Sequence, residues 1–173
     1  AYILAISGTT YQELWRHEGT RNAPNLDVIS IDDIQIDNQS HVYVSGRYSN
    51  HPQYPGVYLG THQISNNAVF GESVYVAKLN NQGQFLWSKT PTSTMIPNTT
   101  TEGASVKGIT FNGDQVIIAG AGQVENWGNG LNIDKPFGHR IDPYLLFLNK
   151  QTGNAEGLTH VLGQFGIENG FTK

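Results

Sequence analysis

The chain has 173 residues and a mass of 19.0 kDa, the size of one ordinary domain and short of two well-packed ones. Its 14 acidic residues against 10 basic ones give a formal charge of −4, which argues against a nucleic-acid partner, and no apolar run reaches the roughly 18 residues of a membrane span. Zero cysteines exclude a disulfide framework, a Cys-ligated metal and thiol catalysis, while 20 glycines and a charged fraction of only 14% suit short strands joined by tight turns.

In chain order, Tyr2-Ile3-Leu4-Ala5-Ile6 leads to Leu14-Trp15, and the pattern returns as Tyr75-Val76-Ala77-Lys78-Leu79 before Phe85-Leu86-Trp87. It returns again as Tyr144-Leu145-Leu146-Phe147-Leu148 before Gly157-Leu158. The three tyrosines lie 73 and 69 positions apart. A second motif keeps step: Ile34-Gln35-Ile36, a polar turn at residues 37–40, and Val42-Tyr43-Val44-Ser45-Gly46 match Ile109-Thr110-Phe111, Asn112-Gly113-Asp114 and Val116-Ile117-Ile118-Ala119-Gly120. Two unlike motifs recurring in one order at nearly the same interval define a repeat.

Each motif alternates with period two, and the Asn112-Gly113-Asp114 and Asn80-Asn81-Gln82-Gly83 segments carry hairpin signals. Asn149-Lys150-Gln151-Thr152-Gly153 repeats the second of these. No segment holds a sustained helical pattern; Tyr11 to His17 is short and uncapped. The expectation is an all-β chain in which one unit supplies four antiparallel strands: the Tyr strand, the Trp strand, the strand before the polar turn and the strand ending at Gly46 or Gly120. One such sheet cannot bury both its faces alone, and sheets stacked about an axis as the blades of a β-propeller can. The expected organisation is one domain with a first repeat unit and long connection over 1–72, a second over 73–141, and the first half of a third over 142–173.

The residues quoted resemble the bacterial SBBP-type β-propeller repeat. Val74 to Lys89, followed by Ile109 to Gly120, is similar to its aromatic-x-x-Ala-Lys-Leu-Asn strand, Gly turn, Leu-Trp strand and Ile…Gly-Asn-Val-Tyr-Val-x-Gly hairpin. Ile6-Ser7-Gly8 departs from the pattern in the first unit, and Gly157-Leu158 replaces the Trp in the third. The resemblance implies a secreted or cell-surface location. Because the chain spends its residues on repeat scaffold and shows no convergent acid, base and nucleophile, the expected role is non-catalytic: structural, adhesive or ligand-binding, with no cofactor. About two and a half units, ending on a tail Glu168 to Lys173 that resembles Glu102 to Lys107, read as a fragment of a larger propeller. Its expected partners are other blades of the same longer chain or symmetry copies of it. The rival reading is a piece of a propeller enzyme similar to the quinoprotein dehydrogenases, suggested by Gln151-Thr152-Gly153.

Residues that could carry chemistry are few. The six histidines, His17, His41, His51, His62, His139 and His160, form no His-x-x-x-His pair, and Asp32-Asp33 with Asp37 fits no calcium loop. Gly120-Ala121-Gly122 lacks the rest of a dinucleotide fingerprint. Trp15, Trp87, Gly46 and Gly120 read as structural repeat positions, with the two tryptophans packed between blades. The connections 47–72 and 121–141 are expected to join blades, the first with an extra strand near Val57 to Ile64, and to carry recognition through Tyr54, Tyr58, His62, Trp127, Asn129 and Asp134. Of these, Trp127, Tyr58 and Tyr54 are the candidate ligand-binding residues, for a glycan or a protein surface; the competing reading folds Trp127 back over a sheet edge.

Overall fold

The computed structural model describes residues 1–21, 29–51, 53–54, 56–66, 71–92, 104–122, 124–134 and 142–160. The tail Glu168 to Lys173, His139, Pro52, Pro55, Gln123 and residues 135–141 of the second connection lie outside them. Fourteen strands and no helix occur among the described residues. They are β1 (Tyr2–Ile6), β2 (Glu13–Arg21), β3 (Asp33–Ile36), β4 (Val42–Asn50), β5 (Gly56–Leu59), β6 (His62–Asn66) and β7 (Gly71–Leu79). After these come β8 (Phe85–Lys89), β9 (Ser105–Asn112), β10 (Gln115–Gly122), β11 (Val124–Asn126), β12 (Asn132–Asp134), β13 (Asp142–Asn149) and β14 (Ala155–His160).

They form three four-stranded antiparallel sheets: a first of order β1-β2-β5-β6, a middle of order β3-β4-β7-β8 and a last of order β9-β10-β13-β14, with β11-β12 as a separate ribbon. The expected four-stranded all-β units are therefore present, but phased differently. The hairpin β3-β4 pairs with β7-β8 of the following repeat unit instead of with β1-β2 of its own. The cause is the long register between β4 and β7, which runs from Val42 opposite Leu79 to Asn50 opposite Gly71; β10 and β13 repeat it from Gln115 opposite Asn149 to Gly122 opposite Asp142. It follows that the 47–72 and 121–141 connections do not join one sheet to the next. Each leaves and re-enters the same sheet between its second and third strands.

The middle sheet is covered on both sides, which explains the apolar run in β7. Val74, Tyr75, Val76, Ala77 and Leu79 are all fully buried. Val42, Val44, Tyr75, Ala77 and Leu79 pack with Ile3, Val57, Leu59 and Ile64 of the first sheet, whereas Tyr43, Val74, Val76 and Trp87 pack with Val116, Ile118, Leu146 and Leu148 of the last. Alternate residues of one strand thus feed two cores.

The repeat glycines are explained by the tyrosines opposite them. Gly46 pairs with Tyr75 and Gly120 with Tyr144, and a Cβ at Gly120 would stand 2.5–2.7 Å from the Tyr144 ring. At Gly46 a Cβ would collide with the Ser30 carbonyl, to which the Tyr75 hydroxyl donates at 3.0 Å. Gly120→Ala is expected to cost about 1–3 kcal/mol through overpacking against a buried ring; urea unfolding checks it, and an unchanged midpoint would contradict the packing role.

Candidate functional site

The two tryptophans of the repeat make one contact twice. Trp15 on β2 lies over the β7-β8 turn, where a Cβ on Gly83 would be 2.6 Å from its indole, and its Nε1–H donates to the Asn81 carbonyl at 3.0 Å. Trp87 on β8 lies over the β13-β14 turn, where a Cβ on Gly153 would be 2.7 Å away, and its Nε1–H donates to the Lys150 carbonyl at 3.1 Å. Both glycines have positive φ, 78° and 70°. Trp87 is buried and Trp15 half-buried. The first and middle sheets thus each press an indole onto a glycine turn of the sheet that follows.

The inserts in the two connections form a second repeat that the sequence hides. The β5-β6 hairpin pairs onto β2 with Thr20 opposite Tyr58, and Asn126 of β11 bridges Thr92, the residue matching Thr20 in the next unit. Each insert thereby straps its own sheet to the preceding one. Through this register Leu59 matches Trp127, Val57 matches Glu125 and Ser65 matches Ile133, all buried, with positive-φ glycines Gly60 and Gly128 following the first pair. The placement corrects the reading of Trp127 as a surface residue for stacking on a ligand. Its side chain is 1% exposed, edge-on to Tyr144 at 6.2 Å, and its Nε1–H donates to Glu125 Oε2 at 2.9 Å.

Tyr54 and Tyr58 differ from it. Tyr54 is 36% exposed, its ring 5.4 Å from that of His51, and Tyr58 is half-buried with its ring folded over Gly56. Asn129 is exposed at the β11-β12 turn with φ 54° and donates through Nδ2 to the Ala155 carbonyl. Only the backbone pairing of Asp134 and His160 is described. His62 does not face solvent freely either: it stacks on Phe85 at 4.3 Å and 6°, and its Nε2 meets Ser88 Oγ at 2.8 Å. Burial, then the nearby His17, push its pKa down. His17 Nε2–H donates to the Gly83 carbonyl at 2.7 Å.

Asp32, Asp33 and Asp37 are committed to framework. Asp32 accepts from Ser30 Oγ at 2.9 Å and Arg47 Nε at 3.2 Å, and Asp33 Oδ2 accepts from the Ile109 N–H of the last sheet at 2.8 Å. Asp37 organises the β3-β4 turn. Burial pushes its carboxyl up, but the N–H groups of His41 and Gln39, with the His41 and Tyr43 side chains, outweigh that and hold it below the ordinary value. Among the described residues no group of three or more His, Cys, Asp or Glu could hold a metal ion.

Sequence reasoning missed Glu125, which replaces a buried valine of the first insert. Its Oε1 and the Tyr144 hydroxyl near it are buried without a hydrogen-bond partner. Burial pushes the Glu125 carboxyl up to about 7, against the pull of the Trp127 indole N–H and the Tyr144 hydroxyl. Between its ordinary 4.5 and about 7 the folded chain holds a proton that the unfolded chain has released. Stability is therefore expected to fall as pH rises through that interval, by about 3–4 kcal/mol at most, since each pH unit crossed there is worth roughly 1.4 kcal/mol. Asp37 acts in the opposite sense, its contribution being lost on acidification below its ordinary 3.8. His62, its pKa lowered by burial, adds stability as pH rises through the same range, so the carboxyl is read by difference. Unfolding at about pH 5 and about pH 8 checks it: between the two the wild type should lose more stability, or gain less, than Glu125→Gln, and the same change in both would contradict this burial of the carboxyl.

The geometry defines an all-β protein of four-stranded antiparallel sheets joined by indole-on-turn contacts and strapping hairpins. No family model matches the chain, and no curated protein or solved structure matches it.

Proposed function

We propose that the chain is part of a β-propeller of the bacterial SBBP-repeat type, extracellular or cell-surface, with a non-catalytic scaffold role and ligand contacts on its first insert. The observation that carries the propeller reading is the recurrence of one junction, Trp15 on Gly83 and Trp87 on Gly153, between successive sheets. A rule that places each sheet on the next by the same contact generates an array about an axis. The strands spend both faces on pairing and packing, so variable chemistry falls to the loops. Tyr54, exposed beside His51, and Tyr58 on the hairpin that follows offer flat rings with hydrogen-bonding edges, suited to a sugar ring or a protein surface.

A glycan array probed with the chain tests the contact role. Binding without turnover is expected, weakened about tenfold or more by Tyr54→Ala with Tyr58→Ala. Equal binding by wild type and the double variant would remove these tyrosines from the site, and turnover of a bound glycan would overturn the non-catalytic reading.

A further inference from the structure

The first and last sheets differ from the two observed junctions in complementary ways. Ser7, Asn80 and Asn149 head equivalent turns: their N–H groups donate to Gln12, Gln84 and Asn154, and their carbonyls accept from Tyr11, Gly83 and Gly153. Tyr11 therefore stands where the other turns have glycine, at φ 57° and 82% exposed. The Cβ of that position points at the indole of the preceding sheet. A sheet bearing a Trp like Trp15 or Trp87 cannot seat there, because the Tyr11 side chain fills the indole's place.

The last sheet has the converse departure. By register Gly157, opposite Phe147, occupies the position of Trp87, opposite Lys78. It brings no indole to the sheet that would follow. The remaining surfaces agree. Tyr2 and Ile6 on the outer face of β1 are 65% and 52% exposed, although their equivalents Tyr75 and Leu79 are fully buried against a preceding sheet. Ile117, Ala119, Leu145 and Phe147 are half-buried, although their equivalents Tyr43, Ser45, Val76 and Lys78 are buried against a following one.

We propose that the first sheet of one copy of this chain docks on the last sheet of a second copy, head to tail, with Tyr11 of one lying over Gly157 of the other. The aromatic comes from the turn and the glycine from the strand, the reverse of the junctions inside the chain, so this junction is self-selecting. A copy cannot dock on an indole-bearing sheet, and the glycine-bearing sheet instead presents the Phe147 ring, which lies 3.3 Å from where a Gly157 Cβ would stand, for the Tyr11 ring to pack on. The contact is heterologous and generates a ring or an open row of copies according to the rotation between sheets. It rests on the observed stacking of the three sheets and not on the glycan contacts.

Sedimentation velocity of the 1–173 chain across a concentration series, with cross-linking, tests it. Concentration-dependent association is expected, weakened about tenfold or more by Tyr11→Gly, which removes the ring, and by Gly157→Trp, which sets an indole against Tyr11. The double variant Tyr11→Gly/Gly157→Trp rebuilds the internal type of junction and should restore association, a rescue that mere misfolding of either single variant cannot produce. Because the chain has no cysteine, a short bismaleimide should join a Thr10→Cys copy to a Thr159→Cys copy, substitutions that flank Tyr11 and Gly157 and leave both in place, and not to an Asn38→Cys copy. A monomer at every concentration, association indifferent to these variants, or linkage through Asn38→Cys would overturn the proposal. A monomer that still binds glycan would leave the scaffold reading standing.

Discussion

Trp87→Ala is expected to lower the free energy of unfolding by about 3–5 kcal/mol, the range for emptying the site of a buried aromatic. The indole is 9% exposed, lies edge-on to Tyr43 at 6.0 Å, and covers the Gly153 turn while donating to Lys150. Its removal opens a cavity where the middle and last sheets meet and strips the Lys150 carbonyl of one of two donors, the other being Lys78 Nζ at 3.0 Å. Trp15→Ala should cost less, because that indole is only half-buried and its junction keeps the stacked His62 and Phe85. Chemical denaturation of the two variants checks both the size and the order. An unchanged midpoint for Trp87→Ala would contradict the role given to the junction.

Gly153→Val is the second large effect, about 2–6 kcal/mol. Two penalties of about 1–3 kcal/mol each act together: a β-branched residue held at positive φ, and a side chain driven into a packed core. The φ of 70° and the 2.7 Å approach to the Trp87 ring are their sources. Gly113→Val separates them. Gly113 has φ 55° but nothing within 4 Å of its Cβ, so only the conformational part should remain. Equal losses at the two positions would mean that the indole does not press on the turn.

The hairpins are legible in the sequence because local chemistry writes them: Asn112-Gly113-Asp114 and Asn80 to Gly83 are turns on any reading, and the alternation on either side sets the strands. The phase of the sheets is not, since a repeat of four strands looks the same whichever strand is counted first; the pairing of β4 with β7 across a twenty-residue insert decides it. Trp127 is misleading for a related reason. Its match, Leu59, shares burial and a following positive-φ glycine but no side-chain chemistry, so the insert repeat shows only through the Thr20–Tyr58 and Thr92–Asn126 register. Glu125 carries no signal at all, because a carboxylate in place of Val57 reads as surface until the fold buries it. Tyr11 is hidden because Ser7-Gly8-Thr9-Thr10-Tyr11 shares only hydrogen bonding with the Asn-headed turns.

If one rotation carries the first sheet to the middle sheet and the middle to the last, three equivalent surface positions report it. Leu14, Leu86 and Glu156 are exposed, occupy equivalent places on β2, β8 and β14, and can be spin-labelled through cysteine pairs in a chain that has no other thiol. Electron–electron dipolar distances then read the arrangement directly. Equal 14–86 and 86–156 distances are expected, with a 14–156 distance shorter than their sum because the sheets turn about an axis. Unequal neighbour distances, or a 14–156 distance equal to the sum, would contradict it.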